Sequence, residues 1–176
     1  IRNNNKKVEK NIFSKQNSNK KIFSGNFISL NSVFIKKNIF DKYKFNENRL
    51  IAGTEDWELW IRLFKTNKIY SIPIITSQIN NNSNRSVSNN KYDELKLRFE
   101  ILLEIFNDKK KHNLNNYELN LIKSELYMYL ALFSAIDLNR SMLRTLKLIL
   151  LSISYNYYKI FTYRFFAIIK KLIIKK

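Results

Sequence analysis

Residues 50–63 read LIAGTEDWELWIRL and hold both tryptophans and one of the two glycines of the chain. Two acids, Glu55 and Asp56, stand side by side here in a chain of formal net charge +18. Trp57, Trp60, Ile61 and Phe64 follow i, i+3, i+4, i+7 spacing, the apolar face of a helix, and Leu59 and Leu63 widen it. Thr54 is the expected N-cap, because a hydroxyl there can accept from an orphan N–H of the first turn. Glu55 and Asp56 then fall where negative charge suits the helix dipole. The spacing predicts a helix from Glu55 to about Thr66–Asn67. Two readings of the acid pair stay open: a helix start, or a pair that does chemistry.

The rest of the composition excludes several chemistries. There is no cysteine, and His112 is the only histidine, so thiolate sites and zinc sites with two imidazoles are ruled out. Two glycines and one proline leave no room for a Gly-rich phosphate loop, and no GxGxxG or P-loop pattern occurs. With 32 Lys+Arg against 14 Asp+Glu, the chain attracts polyanions, although its lysines are scattered rather than gathered in one motif. His112, in KKKHNLNN, reads as a solvated turn residue. The chain begins at Ile1 and reads as a fragment or processed product.

Three regions emerge along the chain. Residues 1–21 are polar and basic without apolar periodicity, a flexible segment. Residues 22–90 alternate β-prone and helical stretches. IFSGNFISLNSVFI (22–35) reads as one or two strands broken near Asn31, and KKNIFDKY as a short helix or turn. KFNENRLIAG reads as loop, followed by the helix at Glu55. KIYSIPIITSQI (68–79) reads as a strand at a sheet edge, because Pro73 cannot donate to a ladder. NNNSNRSVSNN (80–90) is a polar loop whose single cation is Arg85. Residues 91–176 are helical, with Leu95, Phe99, Leu102, Leu103 and Phe106 on one face and a second long helix after Asn115. The basic, aromatic C-terminal end fits either an amphipathic helix on a membrane surface or helices that pack on the core. Charges interrupt its apolar runs too often for a membrane span.

The stretch SGNFISLNSVFIKKNIFDKYKFNENRLIAGTEDWELWIRL resembles the second half of the catalytic domain of family 2 glycosyltransferases, over roughly residues 24–90. The match is carried by NSVFIKK, then FDKYKFNENRL, then an acidic pair opening a helix with W-x-L-W-x-R-L: Glu55, Asp56, Trp57, Leu59, Trp60, Arg62 and Leu63. The resemblance implies an α/β fold, the C-terminal half of a GT-A (nucleotide-diphospho-sugar transferase) domain followed by an α-helical tail. It implies inverting transfer of a sugar from a nucleotide-diphospho-sugar donor to a glycan or lipid-linked acceptor, as in bacterial surface polysaccharide synthesis.

In that family the second acid of the pair is the usual base, which carries over to Asp56, with Glu55 orienting the acceptor or the helix. The helix dipole lowers the pKa of such an acid and burial beside tryptophan raises it. The resemblance places Trp57, Arg85, Ser86 and Asn31 at the substrates. Arg85 is suited to diphosphate oxygens, while a solvated loop is the other reading of 80–90. A family histidine of that loop has no counterpart here, since Asn82 and Asn84 stand in the region. No Asp-x-Asp occurs, so the divalent metal (Mg or Mn) expected in the full-length enzyme finds no ligands in this chain, and the chain alone is expected to be inactive. The expected location is cytoplasmic, peripheral on the inner face of the membrane, with an anionic membrane surface as partner. The alternative is a non-catalytic basic protein that binds nucleic acid or a membrane surface. Nucleic acid is not an expected partner, because no named nucleic-acid module is present.

Overall fold

In the computed structural model the described residues are 21–70, 92–137 and 141–174. Asn115 starts the longest helix with a capping box: its side chain accepts from Glu118 N–H, and the Glu118 carboxylate accepts from Asn115 N–H. Two orphan donors of the first turn are thereby satisfied. This helix, Asn116–Ile136, is the hub, packing on helices before and after it and on a 3₁₀ turn at Ile22–Ser24.

The helices, in chain order, are α1 (Lys37–Lys42), α2 (Glu55–Thr66), α3 (Tyr92–Asn107), α4 (Lys109–His112), α5 (Asn116–Ile136), α6 (Met142–Tyr155) and α7 (Tyr163–Ile173). Further 3₁₀ turns lie at Leu30–Ser32, Arg49–Ile51 and Tyr157–Phe161. Asp108, Ser141 and Thr162 cap α4, α6 and α7 through their side chains. Among the described residues no helix is long and apolar enough to cross a membrane.

The expected α/β fold is overturned: the described residues are 76% helix with no strand and no sheet, so this is not a GT-A sheet core. The β-prone run 22–35 instead forms two 3₁₀ turns joined by backbone that pairs with no strand. β-propensity describes fit to a pleated, half-buried surface, and a strand needs a ladder partner to use it. Here Phe27, Ile28, Val33 and Ile35 use their apolar surface differently, packing half-buried against the helical core. Of the strand expected at 68–79, residues 71–79 lie outside the described residues, as does the loop 80–90. The helical expectations fared better. KKNIFDKY yields α1, and α3 buries Leu95, Phe99, Leu102 and Phe106 as its pattern predicts, with Leu103 half-buried.

The α5–α6 contact is close because small residues face each other. Ser124 Oγ donates to Ser152 O at 2.8 Å and Ser152 Oγ donates to Ser124 O at 2.7 Å. Ser134 and Thr145 hydroxyls meet at 2.9 Å. All four residues are buried, and each hydroxyl has a partner, as burial requires. The 3₁₀ turn 157–161 and α7 are pinned to α5 by Glu125, which accepts from Lys159 Nζ and Arg164 Nη1. α7 also sinks Ile168, fully buried, into the core that contains Ile22, Trp60, Phe106 and Met128.

Ile122, fully buried on α5, gives a direct measure of this core. Ile122→Ala is expected to cost about 2–5 kcal/mol in urea unfolding, the usual range for a truncated core aliphatic.

Candidate functional site

Eight consecutive residues of α2, Trp57 to Phe64, are buried. A helix enclosed on all sides cannot send its charged side chains to water, so each must be paired inside. Glu58 and Arg62 are such a pair. Arg62 Nε donates to Glu58 Oε1 at 2.9 Å and Nη2 to Oε2 at 2.7 Å, a two-pronged contact one helical turn apart. Nη2 also donates to the carbonyl of Lys44 at 2.7 Å, which holds the segment after α1 against α2.

The third partner is His112. Its Nε2 meets Glu58 Oε1 at 2.7 Å; an ionised carboxylate has no proton to give, so the ring nitrogen is the donor. Lys111 Nζ stands 3.6 Å from the same oxygen. His112 is only 2% exposed and packs edge-on against Phe106, so it is not the solvated turn residue that KKKHNLNN suggests. Its Nδ1 finds no hydrogen-bond partner among the described residues. Burial pushes the Glu58 carboxyl up, but the hydrogen bonds from His112 and Arg62 and the charges of Arg62 and Lys111 outweigh it. The net shift is below the ordinary glutamate value of 4.5. Glu58 is therefore a satisfied structural ion.

Asp56, two residues earlier, has a different environment. It is half-buried at the first turn of α2, where the chain turns through Gly53 at φ 88°. Asn26 Nδ2 donates to Asp56 Oδ1 at 3.1 Å, and Trp57 N–H donates to the same oxygen at 2.7 Å. Burial raises its pKa from 3.8. The Asn26 and Trp57 hydrogen bonds oppose this, the adjacent Glu55 charge adds to it, and the net direction is up. Glu55 folds back so that its carboxylate accepts from Gly53 N–H. Thr54 does not cap the helix: its hydroxyl donates to Ile51 O at 2.8 Å.

The remaining sequence-predicted residues divide. Trp57 is 4% exposed, donates its indole N–H to Ile22 O at 2.8 Å and packs edge-on to Phe106, so here it anchors the 3₁₀ turn that leads to Asn26. Asn31 sits in the turn Leu30–Ser32, exposed, with its side-chain oxygen accepting from Ser29 Oγ. The residue that reaches Asp56 from this segment is Asn26, which sequence reasoning missed; its only signal is its place beside Gly25, the other positive-φ glycine. Arg85 and Ser86 lie outside the described residues. Among the described residues no group of three or more His, Asp or Glu could hold a metal ion.

No family model, curated protein or solved structure matches this chain.

The two acids should behave oppositely in stability measurements. Glu58 has a lowered pKa in the fold, so its stabilisation is present above pH 4.5 and lost as pH falls through the lowered value. Asp56 has a raised pKa, so the folded state holds its proton more tightly and ionisation costs stability as pH rises. At pH 7, Glu58→Gln is expected to cost about 3–5 kcal/mol, because it leaves Arg62 buried without its countercharge. Asp56→Asn should be neutral within about 0.5 kcal/mol or stabilising. Urea titrations of both variants between pH 3 and 7, roughly the span over which the two carboxyls change charge, measure this.

Proposed function

We propose that this chain carries the catalytic base of an inverting glycosyltransferase, with Asp56 as that base. The donor is a nucleotide-diphospho-sugar and the acceptor a glycan or lipid-linked hydroxyl, in surface polysaccharide synthesis. The observation that carries the reading is the division of labour within EDWELWIRL. Glu58 and Arg62 are consumed by the interior, whereas Asp56 faces the Asn26 loop with a carboxyl made more basic by burial. The sequence motif supplies the reaction class, and the environment of Asp56 supports its role; the helical fold lends no support of its own.

In the proposed step the acceptor oxygen attacks the anomeric carbon as its proton passes to Asp56. The bond from that carbon to the diphosphate oxygen breaks, and the leaving group departs with the electron pair. Asn26 and the Trp57 N–H both bond Oδ1, which orients the carboxylate that takes the proton. A base must be partly ionised near working pH yet basic enough to accept, and a raised carboxyl pKa moves Asp56 that way. Glu55, tied back to Gly53 N–H, shapes the turn that presents Asp56. A divalent metal, expected from the resemblance, is given no ligand cluster by the described residues. The reading places the enzyme on the cytoplasmic side, peripheral to the inner face of the membrane.

The test is transfer activity of the complete gene product, followed as nucleoside diphosphate release from a panel of nucleotide sugars. Asp56→Asn should lower kcat by about 10²–10⁴, the range for loss of a positioned base, with the fold intact. Asn26→Ala removes a hydrogen bond that lowers the Asp56 pKa, so the acid limb of the pH–rate profile should move to higher pH. Activity of Asp56→Asn within about threefold of wild type, a change worth well under 1 kcal/mol of barrier, would remove Asp56 from the role.

A further inference from the structure

After Asp137 the chain contains no acid at all, while it contains nine lysines and arginines. This acid-free stretch includes α6, the 3₁₀ turn 157–161 and α7. It also carries more than half of the large apolar side chains that are exposed among the described residues.

α6 is apolar on both faces. Its inner side buries Thr145, Leu148, Ile149 and Ser152. At about 100° per residue, the outer half of the helix is formed by Met142, Leu143, Leu146, Leu150 and Leu151, with Lys147 among them. All are exposed, Leu150 and Leu143 by 66% and 65%. A helix on a water-facing surface carries polar residues there. α7 repeats the pattern: Ile168 points inward, while Tyr163, Phe166, Lys170, Ile173 and Ile174 are exposed. Tyr157, Tyr158 and Phe161 extend the aromatic series in the turn between the helices.

Some cations of the segment serve the fold. Arg144 pairs with Asp137, and Lys159 and Arg164 pair with Glu125. Lys147 and Lys170 are exposed within the apolar outer faces. Leucine, aromatic and lysine side chains on one helix face, with no acid, match an interface that is apolar inside and negatively charged at its surface. No described helix is long and apolar enough to cross such an interface.

We propose that the outer faces of α6 and α7 bind the surface of an anionic lipid bilayer, with the leucines and aromatics entering the acyl boundary and Lys147 and Lys170 meeting lipid phosphates. This stands on the surface itself and holds whether or not Asp56 is a base. Deletion of the C-terminal helices is not a usable test, because Ile168 and Lys159 are buried in the core.

The test is flotation of the full chain with phosphatidylcholine vesicles, with and without phosphatidylserine, in the absence of nucleotide sugar. Binding is expected to phosphatidylserine vesicles and to weaken with salt. Leu150→Ser/Phe166→Ser and Lys147→Glu/Lys170→Glu should each bind at least about tenfold more weakly, with unchanged helical circular dichroism. The control Lys36→Glu/Lys37→Glu changes the net charge equally on an exposed part of another region and should retain most of the binding. Three results would overturn the proposal: no binding by wild type, equal loss in the control, or light scattering that shows a dimer dispersed by Leu150→Ser/Phe166→Ser.

Discussion

Glu58 is an ion with no exposure to water, and the arrangement around α2 follows from the need to satisfy it. Arg62 reaches it from one turn along the same helix, His112 from α4, and Lys111 from beside His112. Arg62 then takes the Lys44 carbonyl, so one carboxylate joins the segment before α2, α2 itself and the α3–α4 corner. A buried pair of this kind does not make a fold more stable than a well-packed apolar replacement would. In the observed orientation α2 brings Arg62, His112 and Lys111 to Glu58.

That constraint fixes where Asp56 can be. With Glu58 turned inward, Asp56 lies at the rim of the same helix, and Trp57 between them is tied to Ile22 O. The Ile22–Ser24 turn in turn places Asn26 against Asp56. The structural acid is satisfied by three cationic or hydrogen-bonding partners and its pKa falls. The rim acid is desolvated by burial, and its one neutral side-chain donor and the Trp57 N–H do not offset this with a like charge beside it, so its pKa rises. A group held in its less favourable ionisation state costs stability, and such costs gather where side chains act on ligands.

The helical part of the structure was legible from apolar spacing. Trp57, Trp60, Ile61 and Phe64 form a buried face as their period requires, and the end of α2 at Thr66 was readable from the sequence. Two things were not legible. The strands expected at 22–35 rested on composition, and β-branched and aromatic residues pack equally well as irregular backbone on a helical core when no ladder partner is present. His112 was read from its lysine neighbours, but its environment is set by Phe106 and Glu58, the latter 54 positions away. The readable hint was on α2, where Glu58 and Arg62 at i, i+4 interrupt an apolar run and so require interior partners. Asn26, the contact of Asp56, is marked only by its place beside Gly25.

Site-resolved NMR titration of the side-chain carboxyl carbons tests the division of the α2 acids most directly. Asp56 should titrate above 3.8 and Glu58 below 4.5 in the folded chain. Asp56 titrating at or below 3.8, or Glu58 at or above 4.5, would contradict the opposite environments assigned to the two acids.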